Sequence, residues 1–365
     1  MNTFSTQFNA FEADMKKLKQ DLRKLGYLER PVGFIIFSWV YNLTFAIIPA
    51  IIFFYNENFI VKVLCVFLAG LGCVGIATCS HNASHGNSFK TKLVNQFMDI
   101  FGFDFIIGIS SRFWDNFHNK LHHPNTSIVS IDPDTDILPW FALHEKQVEN
   151  AGSITKIYYK YQWIFFPFLV GFYVIMLQVM GWKFLLKKLI HFNILDHKQR
   201  LLHILDVIVL AAHYVFWIAL PYSFNFSITE ILILYIGKNF ISGMLCFFAL
   251  APTHYVRDAL YFDEEILKLS YYSRQMFSTI NFRVGFFGTP LLNGVEHHLD
   301  HHLFPQVSPS LCKRLGNDIK KIAQKHGMPY RSLSWLEIII DSYRVIMKPK
   351  VVDNSLIEKY ITKLS

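Results

Sequence analysis

GFIIFSWVYNLTFAIIPAIIFFY, residues 33–55, runs for 23 positions without a charged side chain. At about 1.5 Å per helical residue, such a run crosses a hydrocarbon layer of roughly 30 Å. Only NEN separates it from residues 59–79, which carry one charge, Lys62. The two runs read as a membrane hairpin. Residues 204–222 and 228–250 repeat the arrangement around a short uncharged loop. Composition agrees, with 52% hydrophobic, 16% aromatic and 17% charged residues, against about 25% charged in soluble domains.

Charge sets the orientation. Six Lys/Arg lie between residues 16 and 30, which places the N-terminus on the cytoplasmic side, and the first hairpin returns the chain there. A further apolar stretch, 161–181, has Lys156 and Lys160 before it and Lys183, Lys187 and Lys188 after it. Basic flanks at both ends favour a segment that dips in and stays, interfacial or re-entrant. The expected fold is an all-α integral membrane protein: four transmembrane helices in two hairpins, interfacial helices and a cytoplasmic histidine-rich helical cap. Residues 1–30 form an amphipathic, interfacial N-terminal segment, 31–330 the membrane domain, and 331–365 a basic cytoplasmic tail. No secretory signal is visible.

The net charge of +8 comes from basic residues flanking apolar segments. That suits anionic lipid and argues against nucleic acid. The five cysteines form no CxxC pair and read as buried apolar residues. GLGCVG, residues 70–75, has the form GxGxxG but sits inside a membrane run with no strand before it. It reads as close helix packing.

The polar stretches between the hairpins hold the chemistry. HNASH carries His81 and His85, HNKLHH carries His118, His122 and His123, and HHLDHH carries His297, His298, His301 and His302; these are nine of the 16 histidines. Residues three and four apart share a helix face, so HxxxH offers two imidazoles to one ion, and HxxxHH or HxxHH offers three. So many imidazoles with few carboxylates suit iron, copper or zinc, and exceed the four ligands of one tetrahedral zinc. Two metals are the natural reading. A single HxxxH at a helix end is more often a polar interface feature; three such clusters on one membrane face are not. HNASH lacks the glutamate of HExxH, which disfavours a zinc protease.

These stretches (HNASHG, WDNFHNKLHHPNT, DPDTDI, YQWIFFPFLVG, and HHLDHHLFPQVSP running into KKIAQKHGMPY) resemble the integral-membrane fatty acid desaturases, more narrowly bacterial acyl-lipid and linoleoyl-CoA-type enzymes. The resemblance covers roughly residues 30–330. It implies a non-haem di-iron centre held by His81, His85, His118, His122, His123, His298, His301 and His302. His254, in APTHYVRD, occupies the place of the family's further ligand after the last span. His297 lies outside the family pattern and is read as an outer residue, although its spacing to His301 leaves it open as a ligand. The resemblance further implies O2 as co-substrate and a long-chain acyl substrate carried as acyl-lipid, acyl-CoA or acyl-carrier protein. The expected product is a cis double bond. Many relatives begin the third box with glutamine where His298 stands here, which leaves bond position open. No HPGG haem motif is present, so electrons are expected from a separate donor, a ferredoxin or a cytochrome b5 with its reductase. The implied location is a bacterial inner membrane, with N-terminus, boxes and C-terminus cytoplasmic.

Around the boxes, Asp115 and Glu296 are candidates to orient the imidazoles, or solvated loop acids. Asp132, Asp134 and Asp136 read first as a Pro-fixed turn, and secondly as support for the centre or a donor contact. Phe113, Trp114 and Phe117 are candidates to line the acyl tunnel, or packing aromatics. Lys238 and His213 fall mid-span, where ionisable groups are functional by default. Competing activities are hydroxylation or ketolation on the same scaffold; a metal transporter, which would need ligands inside the spans; and a metal-binding sensory protein.

Overall fold

The computed structural model describes residues 2–191, 195–249 and 252–352, with 355 and 357. Both hairpins are present as Val32–Tyr55 with Phe59–Ser84, and His197–Ser223 with Ile228–Phe248. The first turn is closed by Asn58, whose Oδ1 accepts from the Ile60 and Val61 amides at 2.9 and 3.2 Å, an N-cap that starts the second helix. The glycines of GLGCVG do pack helices. A Cβ on Gly72 would lie 2.2 Å from the Ala46 amide, one on Gly75 would strike Asn42, and one on Gly70 would strike Ile241. Phe59–Ser84 thus meets two neighbours at backbone distance.

The stretch at 161–181 lies within a longer helical run, Ser153–Ile190, with one tighter turn at Val170–Phe172. Among the described residues five helices are therefore long and apolar enough to cross a membrane, where four were expected. Flanking lysines bear on where a segment sits, not on how far its helix extends.

A second feature was not anticipated. Between the hairpins, Lys92–Ile107 and Ser111–Asn125 form one helical pair broken by a bend of 114°. Gly108 turns the corner at φ +85°, a conformation glycine adopts at little cost. Breaking a helix among apolar neighbours strands its last carbonyls, and these must find donors. His213 Nδ1 lies 2.9 Å from the Phe105 oxygen, Trp217 Nε1 donates to Ile106 at 3.0 Å, and Gln178 Nε2 to Ile107 at 2.6 Å. On the far side, the Ser111 amide donates to Asp104 and the Phe113 amide to Ser110 Oγ. His213 is thereby explained as a cap on a broken helix, its Nε2 on the Tyr235 hydroxyl at 2.9 Å. Lys238 stands 4.2 Å from the Trp217 ring centre and bonds Asn239, with no head group needed to account for it.

The remaining polar segments build a cap over one end of the helices. The helix Asn2–Asp21 turns Phe11, Met15 and Leu18 into a core shared with Phe304, Leu315 and Ile319. Its apolar face, at Phe11, Met15 and Leu18, packs on protein. The expected tail from 331 is also structured over its described part. Ser332–Ser334 pairs in parallel with Asn281–Arg283, a small sheet in an otherwise helical chain, and Trp335–Met347 packs on Ser153–Leu169.

Candidate metal centre

Four helical segments converge under the cap. Phe59–Ser84 brings His81 in its last turn and His85 at its end. The broken helix brings His118, His122 and His123, Pro252–Tyr255 brings His254, and His298–Leu303 brings His298, His301 and His302. Their ring nitrogens form two histidine groups, each within 4.8 Å: His81, His85, His118, His123 and His301, and His122, His254, His298 and His302, with a smaller overlapping group of His118, His122 and Asp134 between them. All nine expected imidazoles are brought together, and His297 is in neither group.

The division depends on a local change of helical winding. Asp115–His122 is wound as a π-helix, a rare form concentrated at functional sites. Residues five apart then share a face. His118 Nε2 and His123 Nε2 lie 3.1 Å apart in one group, and His122 turns to the other. The third box divides by ordinary spacing, His298 and His302 to one group and His301 to the other.

The donor chemistry fits metal ions. Closest ring nitrogens are 2.8 Å apart for His81 and His118, 3.0 Å for His254 and His298, and 3.2 Å for His302 and His298. Two nitrogens each about 2.1 Å from one ion at right angles stand about 3.0 Å apart. The buried Nε2 atoms of His85, His122 and His301 have no hydrogen-bond partner, which burial penalises unless something else binds them. Burial also holds His298 down at about 3, and His254, His301 and His302 well below the usual imidazole value. The neutral form is the one that ligates.

Outer partners fix three rings of the four-histidine group. His122 Nδ1 lies 2.9 Å from Asp132 Oδ1 and 3.3 Å from Asp134 Oδ2. His254 Nδ1 faces the Ser278 carbonyl at 3.1 Å, and His302 Nδ1 faces Gln275 Oε1 at 3.1 Å. Such contacts set the tautomer and turn Nε2 inward. In DPDTDI the turn is present, but Asp132 is buried and not exposed, and it also touches His122. Asp132 Oδ1 accepts the Asp134 amide and Oδ2 the Ser127 amide, closing the turn while holding His122.

The acids proposed beside the boxes make no hydrogen bond to a box imidazole, although Asp115 lies close enough to His85 for their charges to interact. Asp115 pairs with Lys120 at 2.6 Å and with Asn119. Glu296 is buried with Oε2 unpartnered, and no hydrogen bond joins it to a box imidazole. His297 Nδ1 is 3.5 Å from Asp300 Oδ2. Asp300, overlooked in the sequence because it sits inside HHLDHH, accepts from Tyr330 Oη at 3.0 Å and Asn281 Nδ2 at 3.1 Å and so anchors the third box. Of the three aromatics, Trp114 stacks on His118 with ring centres 4.7 Å apart. Phe113 and Phe117 pack on each other, and Phe113 also on Phe184. An apolar cavity lies beside Trp140, Tyr173 and Phe247, residues no motif had marked.

Comparison with known proteins agrees. The family described as "Fatty acid desaturase" matches residues 57–334. The "Delta(5) fatty acid desaturase fat-4" of Caenorhabditis elegans is 23% identical over 344 residues, covering 92% of this chain and 73% of that one. The "Delta(8)-fatty-acid desaturase 2" of Arabidopsis thaliana is 26% identical over 297 residues, 76% of this chain and 62% of that one. The "Delta(8)-fatty-acid desaturase" of Helianthus annuus is 24% identical over 359 residues, 93% and 74%. These relatives are animal and plant proteins and lend no support to the expected bacterial affinity.

Proposed function

Since the chain belongs to the fatty acid desaturase family and is an oxidoreductase acting on fatty acyl chains, we propose that its two histidine groups hold two iron ions. His81, His85, His118, His123 and His301 would hold one, and His122, His254, His298 and His302 the other. The observation that carries this is the division of nine imidazoles, eight buried and His85 half-buried, into two ligand-sized groups. When bound, the iron pair supplies the redox chemistry. One O2, two protons, two donor electrons and two hydrogens from adjacent acyl carbons give two waters and a cis double bond. The chain's own residues position and exclude. Asp132, Ser278 and Gln275 fix ring direction, Trp114 packs on His118, and the cap keeps bulk water from the site. Electrons come from an external carrier, and the substrate is a long acyl chain on lipid, CoA or carrier protein. The relatives' names make Δ5 and Δ8 the first bond positions to seek.

We place the boxes, both termini and the cap on the cytoplasmic side, with four spans, in a bacterial inner membrane as the sequence resemblance suggests. Support for the count comes from the first half of Ser153–Ile190, which is tied to the cap. Gln162 donates to the Ala142 and Ile346 carbonyls at 2.8 Å, and Tyr343 Oη donates to Trp163.

The test is lipid mass spectrometry on a host expressing the chain with a donor and reductase, beside His301→Ala. Acyl chains short of two hydrogens in the wild type alone are expected. Added oxygen would make it a hydroxylase. Absence of either product from iron-loaded protein with a working donor would sink the acyl reading.

A further inference from the structure

We propose that Tyr173 is a specificity-determining residue, the partition that sets how far an acyl chain reaches toward the metals and so which carbon pair reacts; this rests on the desaturase reading above. An apolar cavity of about 230 Å³ lies among Trp140, Leu169, Met176, Phe247 and Tyr173. A second, enclosed space of about 20 Å³ is lined by His81, His118, His254 and His298, with Trp114 and again Tyr173. Among the described residues that line them, Tyr173 alone belongs to both.

Two other segments show that the spaces are neighbours. Asp134 faces the histidine-lined space and Ile137 the apolar one. Cys246 faces the first, and Phe247, the next residue, faces the second. The two spaces thus share the Tyr173 side chain as a wall, its ring edge-on to Phe247 with centroids 6.5 Å apart. The outer cavity is lined by aliphatic and aromatic groups, which suits methylenes and excludes a charged carrier. The inner space has room for about one water. A chain in the outer cavity therefore meets the Tyr173 ring before it meets the histidines. Which carbons pass that ring depends on its bulk.

The experiment expresses the full chain with donor and reductase. It compares Tyr173→Phe, Tyr173→Ala and Tyr173→Trp for double-bond position and chain length by fragmentation mass spectrometry, with iron content measured on each purified protein. Tyr173→Phe keeps the ring and the wild-type bond position. Tyr173→Ala moves the bond or widens the range of chain lengths. Tyr173→Trp loses product about tenfold or more with iron retained, the scale of one misplaced group in an apolar pocket. Wild-type bond position and chain range in Tyr173→Ala would overturn the proposal. So would loss of product in Tyr173→Phe at full iron content, which would assign the hydroxyl a part in the reaction. If Tyr173→Ala does not load iron, Met176→Trp, which fills the outer cavity without lining the inner one, decides. Reduced yield or shortened chains are expected, and wild-type yield and chain range would overturn the proposal. Absence of acyl product from the iron-loaded wild type would instead overturn the desaturase reading and the partition with it.

Discussion

His122 and Asp132 meet at 2.9 Å with neither side chain reaching solvent. Asp132 also accepts two backbone amides, from Ser127 at 2.7 Å and Asp134 at 3.0 Å. One carboxylate thus closes a turn and orients an imidazole. In Asp132→Asn one oxygen still accepts, but the other becomes an NH2 donor facing either the Ser127 amide or His122 and the Asp134 amide, and the charge opposite His122 is gone. Iron affinity is expected to fall about 10- to 100-fold, the usual effect of losing an outer partner. Iron titration of apo-protein measures it, and unchanged affinity would show that Asp132 serves only the turn.

Asp300 holds the third box through Tyr330 and Asn281, and Gly316 passes so close that a Cβ there would lie 2.4 Å from Asp300 Oδ2. Tyr330→Phe removes one donor from a buried carboxylate and should cost about 1–3 kcal/mol. Gly316→Ala should cost a similar amount through overpacking. Thermal unfolding in detergent checks both. If the two variants together lose no more than the larger single loss, they act on the one carboxylate.

His213→Leu leaves the Phe105 carbonyl without its donor at the broken helix. A loss of about 1–3 kcal/mol is expected, with iron content unchanged because His213 lies outside both histidine groups. Iron loss in a protein that keeps its thermal stability would return this mid-span histidine to the functional site.

What could be read in advance and what could not divide on a physical line. The hairpins and boxes are written in local periodicity, since apolar runs and HxxxH spacing need no knowledge of distant partners. The assignment of each histidine to an ion was not legible. It rests on π-winding at 115–122, which moves His123 beside His118 and sends His122 across. The break near Gly108 was equally hidden, because its carbonyls are satisfied by Gln178, His213 and Trp217, 71 to 111 residues away. Basic and apolar alternation before residue 30 signalled an amphipathic helix correctly, but amphipathicity alone cannot tell a lipid surface from a protein one.

That helix makes a pH prediction. Asp14 accepts from His326 at 2.8 Å and Lys325 at 2.7 Å, and these bonds lower its carboxyl to about 2. The folded value lies below the unfolded 3.8. The contribution is therefore complete above about pH 4 and is lost as pH falls toward 2. Hydrogen exchange over residues 8–21 should rise in that window in the wild type, and Asp14→Asn should show the raised exchange already at pH 5. Equal protection of the two proteins at pH 5 would mean that Phe11, Met15 and Leu18 dock the helix without help.

The path of Ser153–Ile190 is open to a direct test. Ile154 and Ile190, near its two ends, are 85% and 80% exposed, and the five native cysteines are all buried, so the labelling background is low. Single Ile154→Cys and Ile190→Cys variants are placed in sealed inside-out vesicles and treated with a membrane-impermeant maleimide. A run that dips and returns exposes both ends on the cytoplasmic face, and both variants should label. Labelling of Ile154→Cys alone would make the run a true crossing and raise the count to five. The tail would then leave the side of the N-terminus, and both polar segments could meet in one cap only if a further crossing after residue 190 restored the balance; a crossing at the bent pair, 92–125, would instead put Ile154 on the far face.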